Sequence, residues 1–227
     1  MGRAGEDGRA TVGNVTTDSV SLPQLREWLH AFGALVNQNK GYLTELDSAI
    51  GDADHGANMA RGMTKVLDQV TDADGSVDVL FKKVGMTLVS SVGGASGPLY
   101  GTFFMKFGSA AGASDSLDGA TLGAALRAGR DGVVARGKAE IGDKTMVDAL
   151  TPAVDAFDQA IGDGGSLAAA TRAAAEAARA GRESTTGLVA RKGRASYLGE
   201  PSQGHQDPGA TSVAYLFEAL AASMDGV

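Results

Sequence analysis

The sequence predicts an all-α protein, an antiparallel up-and-down bundle of eight helices. Three observations carry this. Aromatic residues make up only 5% of the 227 residues while Ala, Leu, Val and Gly abound, a composition that packs helices closely and under-supplies a β-sandwich. Apolar residues recur at helical spacing in segment after segment. Between those segments stand Gly-, Asp- and Ser-rich breakers, with no fixed-period repeat and no domain linker.

The segments follow in order. Ser21 is the expected N-cap of the first helix, with Pro23 in its first turn. Leu25, Trp28, Leu29, Phe32, Leu35 and Val36 then line one face, and the pattern continues through Tyr42, Leu43 and Leu46, with a bend or break near Gly41. It stops at Ile50-Gly51-Asp52. Further helices are expected over 57–70, 77–92, 99–109, 121–136 and 145–161. A long Ala-rich helix capped by Ser166 is expected to reach Val189, and a last one runs over 209–224 behind Asp207-Pro208, a cap and first-turn pair. No segment reads as a strand. Residues 1–20 are polar and Gly-rich and are expected to be a mobile lead-in without a signal-peptide core, leaving 21–227 as a single domain.

Composition narrows the function. The formal net charge is −7, which repels a nucleic-acid backbone, so no nucleic-acid partner is expected. There are no cysteines, so disulfides, thiolate catalysis and thiolate zinc sites are excluded, and a cytoplasmic setting is the expectation. No stretch approaches the roughly 18–20 apolar residues of a membrane span.

The unusual sequences lie at alternate connections: GDADHGAN, GGASG, GKAEIGDKTM and GRASYLGEPSQGHQDPGA. Alternate connections of an up-and-down bundle share one end, so these polar loops can converge on one site. In the first, Asp47, Asp52 and Asp54 put three carboxylates within eight residues. Alone they would repel one another, and a hard cation such as magnesium relieves that repulsion. It is not an EF-hand loop, because the sixth position from Asp52 is Ala57 and the twelfth is Met63. The alternative is that Asp52 or Asp54 merely caps the next helix.

His55, Gly56, Ala57 and Asn58 open that helix, whose free N–H groups and positive dipole end attract phosphate. In the second loop small residues let backbone approach a ligand, and Ser96 can donate to a phosphate oxygen. No Gly-Lys-Ser/Thr follows, so it is not a P-loop, and a tight interhelical turn fits it equally. Met146 can rest against a planar base or pack in the core. Arg191, Lys192 and Arg194 can clamp phosphate, or can be a solvated loop or complement a helix C-terminus. Asp207 serves as an N-cap whatever else it does. Together these features describe a magnesium–polyphosphate site without a P-loop.

The runs GDADHGAN, SSVGGASGPLYGTFF, RGKAEIGDKTM, and ARKGRASYLGE followed by GHQDPGATS resemble the nucleotide-binding L subunit of dihydroxyacetone kinase, of the phosphotransferase-system-dependent type. The resemblance extends from about Leu25 to the C-terminus. It implies an eight-helix barrel with ADP or ATP across one end, and two Mg2+ ions on Asp47, Asp52 and Asp54. It implies nucleotide contacts from His55, Gly56, Ala57 and Asn58, and phosphate near Ser96 and Gly97. It further implies that Gly137 and Met146 belong to the adenine pocket, that Arg194 is a phosphate contact with a catalytic role, and that Asp207, Pro208 and Gly209 form the last wall. The implied partners are a dihydroxyacetone-binding K subunit and a phosphoryl-donor M subunit that recharges ADP. Two other readings stay open: a subunit of an ATP-exchanging kinase for another ketose such as erythrulose, and a non-catalytic nucleotide-loaded regulator that binds a transcription factor or an enzyme. Pro201 departs from the pattern, because family members often carry a basic residue after the Gly-Glu pair.

Overall fold

The structure, a computed structural model, describes residues 18–70 and 75–224. The expected lead-in therefore lies outside the described residues up to residue 17. Among the described residues there are nine α-helices and one two-stranded sheet. None of these helices is long and apolar enough to cross a membrane.

The helices are α1 (Leu22–Gln38), α2 (Lys40–Ile50), α3 (His55–Leu67), α4 (Val77–Ser91), α5 (Ser96–Ala111), α6 (Gly119–Gly137), α7 (Val147–Gly162), α8 (Leu167–Ser184) and α9 (Pro208–Met224). The ninth helix arises because the first predicted segment is two. The break falls at Asn39, whose side-chain amide donates to the Leu35 carbonyl at 2.8 Å. That bond competes with the helical ladder. α1 starts as expected, with a capping box in which Ser21 N–H donates to Gln24 Oε1 at 2.9 Å. α8 ends at Ser184 rather than Val189, because the Ser184 and Thr185 hydroxyls donate to the carbonyls of Gly181 and Arg182. A 3-10 turn over Thr185–Gly187 follows.

Each helix packs on the next around a ring, α1 on α3 and so on through α8 on α9, and α9 closes on α1. α2 lies outside the ring order and packs on α3 and α9. The result is an antiparallel up-and-down barrel, as the breaker pattern predicts. Its interior holds Trp28, Phe81, Phe103, Phe104 and Phe107 in mutual ring contact. The buried Trp28 indole N–H donates to the Leu216 carbonyl at 2.8 Å, which spares it an unpaired polar group.

The sheet pairs β1 (Ser19–Ser21) with β2 (Ser116–Asp118), antiparallel, with Val20 opposite Leu117. Three-residue strands are too short to show an alternating pattern, so the sequence carries no sign of them. They tie together the starts of α1 and α6. At the same end Asp18 accepts from the Leu167 N–H that opens α8, and Val77 N–H, opening α4, donates to the Ser114 carbonyl at 2.8 Å. The helices that start there are α1, α4, α6 and α8. Those that start at the opposite end are α3, α5, α7 and α9.

Candidate functional site

Four helix N-termini therefore face one another across one end of the barrel, and a cavity of about 380 Å³ lies among them. Its wall includes Asp54 and His55 from α3, Ser96 from α5, Met146 and Val147 from α7, and Asp207 to Gly209 from α9. Each start contributes the partial positive charge of its helix dipole, so the cavity favours an anion.

Against this stands the acidic turn between α2 and α3. Asp47, Asp52 and Asp54 each bring one carboxylate oxygen to within 4.8 Å of the others. Asp47 is buried, and its Oδ2 accepts from the N–H of Asp54 at 2.8 Å and of His55 at 3.0 Å. So Asp47 also caps α3, which is the alternative role that the sequence allowed for its neighbours. Its Oδ1 lies over Gly51, where a Cβ would approach to 2.1 Å; only glycine lets the carboxylate sit there. Ala53, between the other two carboxylates, has φ +61°. A non-glycine residue in the left-handed region costs about 1 kcal/mol, and the turn holds it. Oxygen donors only, with one carboxylate already oriented by backbone, suit Mg2+. The donor set fits the ion that the sequence implies.

Asp52 also meets Arg194, with Nη2 3.0 Å from Oδ2 and both side chains partly exposed. Arg194 sits on the connection between α8 and α9, which lies over the cavity and also contributes Lys192. The connection is held from below by a residue whose role the sequence does not signal. Lys144 is fully buried, and its ammonium donates to the carbonyls of Thr185 at 2.5 Å, of Leu188 at 3.1 Å and of His205. Burial draws its pKa down, opposed by Asp207 and Asp148. Asp148 folds the turn beside it by accepting from the N–H of Gly142 and of Thr145.

Part of the lining is apolar. Leu99, Val133, Ala139 and Met146 lie there with Gly137, a surface that a planar base can cover. The cavity thus has an apolar part, four dipole ends and a carboxylate cluster.

The structure brings to the cavity lining Asp47, Asp52, Asp54, His55, Ser96, Gly137, Met146, Arg194, Asp207, Pro208 and Gly209. It does not bring Gly56, Ala57, Asn58 or Gly97 there. Gly56 faces α2: a Cβ would stand 2.1 Å from the Lys40 carbonyl and 2.5 Å from Thr44 Oγ1. Asn58 turns inward beside Gly93 and accepts from Arg61 at 2.6 Å. Gly97 faces the Val92 carbonyl. Successive helical residues diverge by about 100°, so only part of a first turn can face a ligand. Gly56→Ala is expected to destabilise the fold by roughly 1–3 kcal/mol through overpacking, read as a lower urea midpoint at unchanged slope.

Two buried groups are strongly perturbed. Burial lowers the His55 pKa to about 4, opposed by Asp47 and Asp54, so the ring is neutral. Burial raises the Asp207 pKa to about 7; the Ala210 N–H that it caps and Lys144 pull it down, while Asp148 and Asp47 push it up. A carboxyl whose pKa is raised on folding stabilises the fold fully below its ordinary value, and that contribution is lost as pH rises through about 7. In ligand-free protein, Asp207→Asn should therefore flatten the fall in melting temperature between pH 5 and pH 8.5, by on the order of 5 °C.

Comparison with known proteins agrees with this architecture. The family model described as the DAK2 domain matches residues 49–222. "PEP-dependent dihydroxyacetone kinase, ADP-binding subunit DhaL" of Escherichia coli (strain K12) is 49% identical over 204 residues, 89% of this chain and 97% of that protein. "PTS-dependent dihydroxyacetone kinase, ADP-binding subunit DhaL" of Lactococcus lactis subsp. lactis (strain IL1403) is 46% identical, over 86% of this chain and 93% of that one. Among solved structures, the dihydroxyacetone kinase from C. freundii in complex with AMP-PNP and Mg2+ superposes with a TM-score of 0.69 at 26% identity. That match covers 98% of this chain but only 38% of the larger enzyme.

Proposed function

This chain belongs to the DAK2-domain family, and from that premise we propose that it is the nucleotide-binding subunit of a dihydroxyacetone kinase. In this reading it holds ADP or ATP with magnesium. It passes the terminal phosphoryl group to dihydroxyacetone held by a separate K subunit, and an M subunit of a phosphotransferase system recharges the ADP. The observation that carries the reading is a cavity in which four helix N-termini meet three clustered carboxylates and apolar side chains.

The parts divide the work as follows. Asp47, Asp52 and Asp54 would hold two magnesium ions, which supply charge neutralisation to the phosphates when bound. The positive dipole ends of α3, α5, α7 and α9 draw in the phosphate chain. Met146, Leu99 and Gly137 take the base, and Asp207 to Gly209 close the far wall. Arg194 reaches from Asp52 to a phosphate oxygen and meets the charge that grows as the bond to the leaving phosphate lengthens. No side chain of this chain becomes phosphorylated. The ketose hydroxyl and its proton are handled on the K subunit.

The chain covers 97% of the length of the E. coli subunit and 38% of that of the C. freundii enzyme, which supports comparing it with the separate subunit. Reconstitution tests the reading. The chain with purified K subunit, M subunit and the phosphoenolpyruvate-fed carrier proteins should convert dihydroxyacetone to its phosphate. Omitting this chain should abolish the product. Product formation at an unchanged rate without it would reject the assignment.

A further inference from the structure

Behind the wall of the cavity a closed set of four hydrogen bonds joins side chains whose hydrogens can be counted. Ser96 Oγ lies 3.0 Å from His55 Nδ1, and His55 Nε2 lies 3.0 Å from Ser212 Oγ. Ser212 Oγ is 2.7 Å from the Tyr100 hydroxyl and 3.0 Å from the Gly209 carbonyl oxygen. His55, Tyr100 and Ser212 are buried. Both partners of the imidazole are neutral hydroxyls, and among the described residues no carboxylate contacts either ring nitrogen, so an imidazolium there would be a buried charge without a hydrogen-bonded counter-ion. A neutral ring brings one hydrogen, and each hydroxyl brings one.

Four hydrogens must then serve four contacts, and the carbonyl fixes their direction. Gly209 can only accept, so Ser212 donates to it. Ser212 has no second hydrogen, so Tyr100 and His55 Nε2 must both donate to Ser212. His55 has no second hydrogen either, so its Nδ1 accepts from Ser96. The hydroxyl hydrogen of Ser96 is thereby turned away from the cavity, and its oxygen meets the cavity with lone pairs alone.

We propose that Ser212 and Tyr100 are positioning residues that fix His55 as its Nε2–H tautomer, and that His55 in turn makes Ser96 Oγ an acceptor toward the cavity. An acceptor suits a cation or a water bound to one, and it repels a phosphate oxygen. Ser96 thus serves the metal side of the site, and the phosphates rely on backbone N–H groups at the start of α5. This reverses the direction that the sequence alone suggests for Ser96. The part concerning the cation rests on the magnesium reading above; the tautomer does not.

The test is a two-bond 15N–1H correlation spectrum of the full chain labelled at histidine, free of metal and nucleotide. The chain has three histidines, and His55→Asn assigns the signal. The expected result is a neutral ring protonated at Nε2 in wild type and in Tyr100→Phe, where Ser212 still accepts. In Ser212→Ala the proton should move to Nδ1. A wild-type ring protonated at Nδ1 or at both nitrogens overturns the proposal, whether or not the alanine variant folds. For Ser96, Mn2+ binding followed by electron paramagnetic resonance without nucleotide is expected to weaken about tenfold in Ser96→Ala. Equal affinity in a folded variant overturns the acceptor role. Because the spectrum is recorded without nucleotide or metal, its outcome is separate from any failure of the kinase reading.

Discussion

Asp52→Asn is expected to weaken Mg2+ binding by about 100-fold and to carry nucleotide affinity down with it, while the fold stays as stable as before. The three aspartates of the acidic turn are not equivalent in this respect. Asp47 caps α3 through two backbone N–H groups, so changing it disturbs the turn as well as any ion. Asp52 is partly exposed and makes an ion pair with Arg194, and a surface pair contributes little to stability. Removing one of three carboxylates gathered within 4.8 Å also relieves their mutual repulsion in the ligand-free chain. A loss of about 100-fold stands at the upper end of what even an outer-sphere partner contributes to metal affinity. Titration calorimetry with Mg2+ and ADP, beside a melting curve, reads all three quantities. Affinities equal to wild type would remove Asp52 from the metal site.

Arg194→Ala should produce the second large effect, on transfer rather than on binding. The expected loss is about 10³-fold in kcat of the reconstituted system, at the lower edge of what an arginine contributes in phosphoryl transfer, with KM for the nucleotide changed by less than about tenfold. Stability should stay within about 0.5 kcal/mol, because the side chain lies on an exposed connection. Arg194→Lys should recover little, since an ammonium cannot span an aspartate and a phosphate oxygen with one rigid fork. Steady-state kinetics with saturating K and M subunits separates the two constants. A rise in KM alone would make Arg194 a binding contact and no more.

Most of the architecture is legible in the sequence because its signals are local. Breakers such as the run Gly162-Asp163-Gly164-Gly165 and caps such as Ser21 and Ser166 mark helix limits within the chain itself. The convergence of the four Gly-rich loops follows from parity, since alternate connections of an up-and-down ring must share an end. What escapes depends on side-chain bonds that no local pattern announces. The Asn39 break and the Ser184 end are set by side-chain bonds to neighbouring carbonyls rather than by a glycine. Lys144 stands in one of the Gly-rich loops, yet nothing local says that its ammonium finds three carbonyls on the α8 to α9 connection. Ser212 and Tyr100 lie inside helices and read as core, and their role emerges only where α3, α5 and α9 meet. The converse holds for Gly56, Asn58 and Gly97, which stand beside ligand-facing residues in sequence but face neighbouring backbone or helices in space.

On the proposed reading this cavity retains a magnesium-bound adenine nucleotide for phosphoryl relay, and a native mass spectrum of the purified chain without added nucleotide should reveal it. A mass excess equal to ADP with magnesium is expected, lost when Asp52 is replaced by Asn. A bare chain that takes up neither ADP nor ATP when both are supplied with Mg2+ would contradict it.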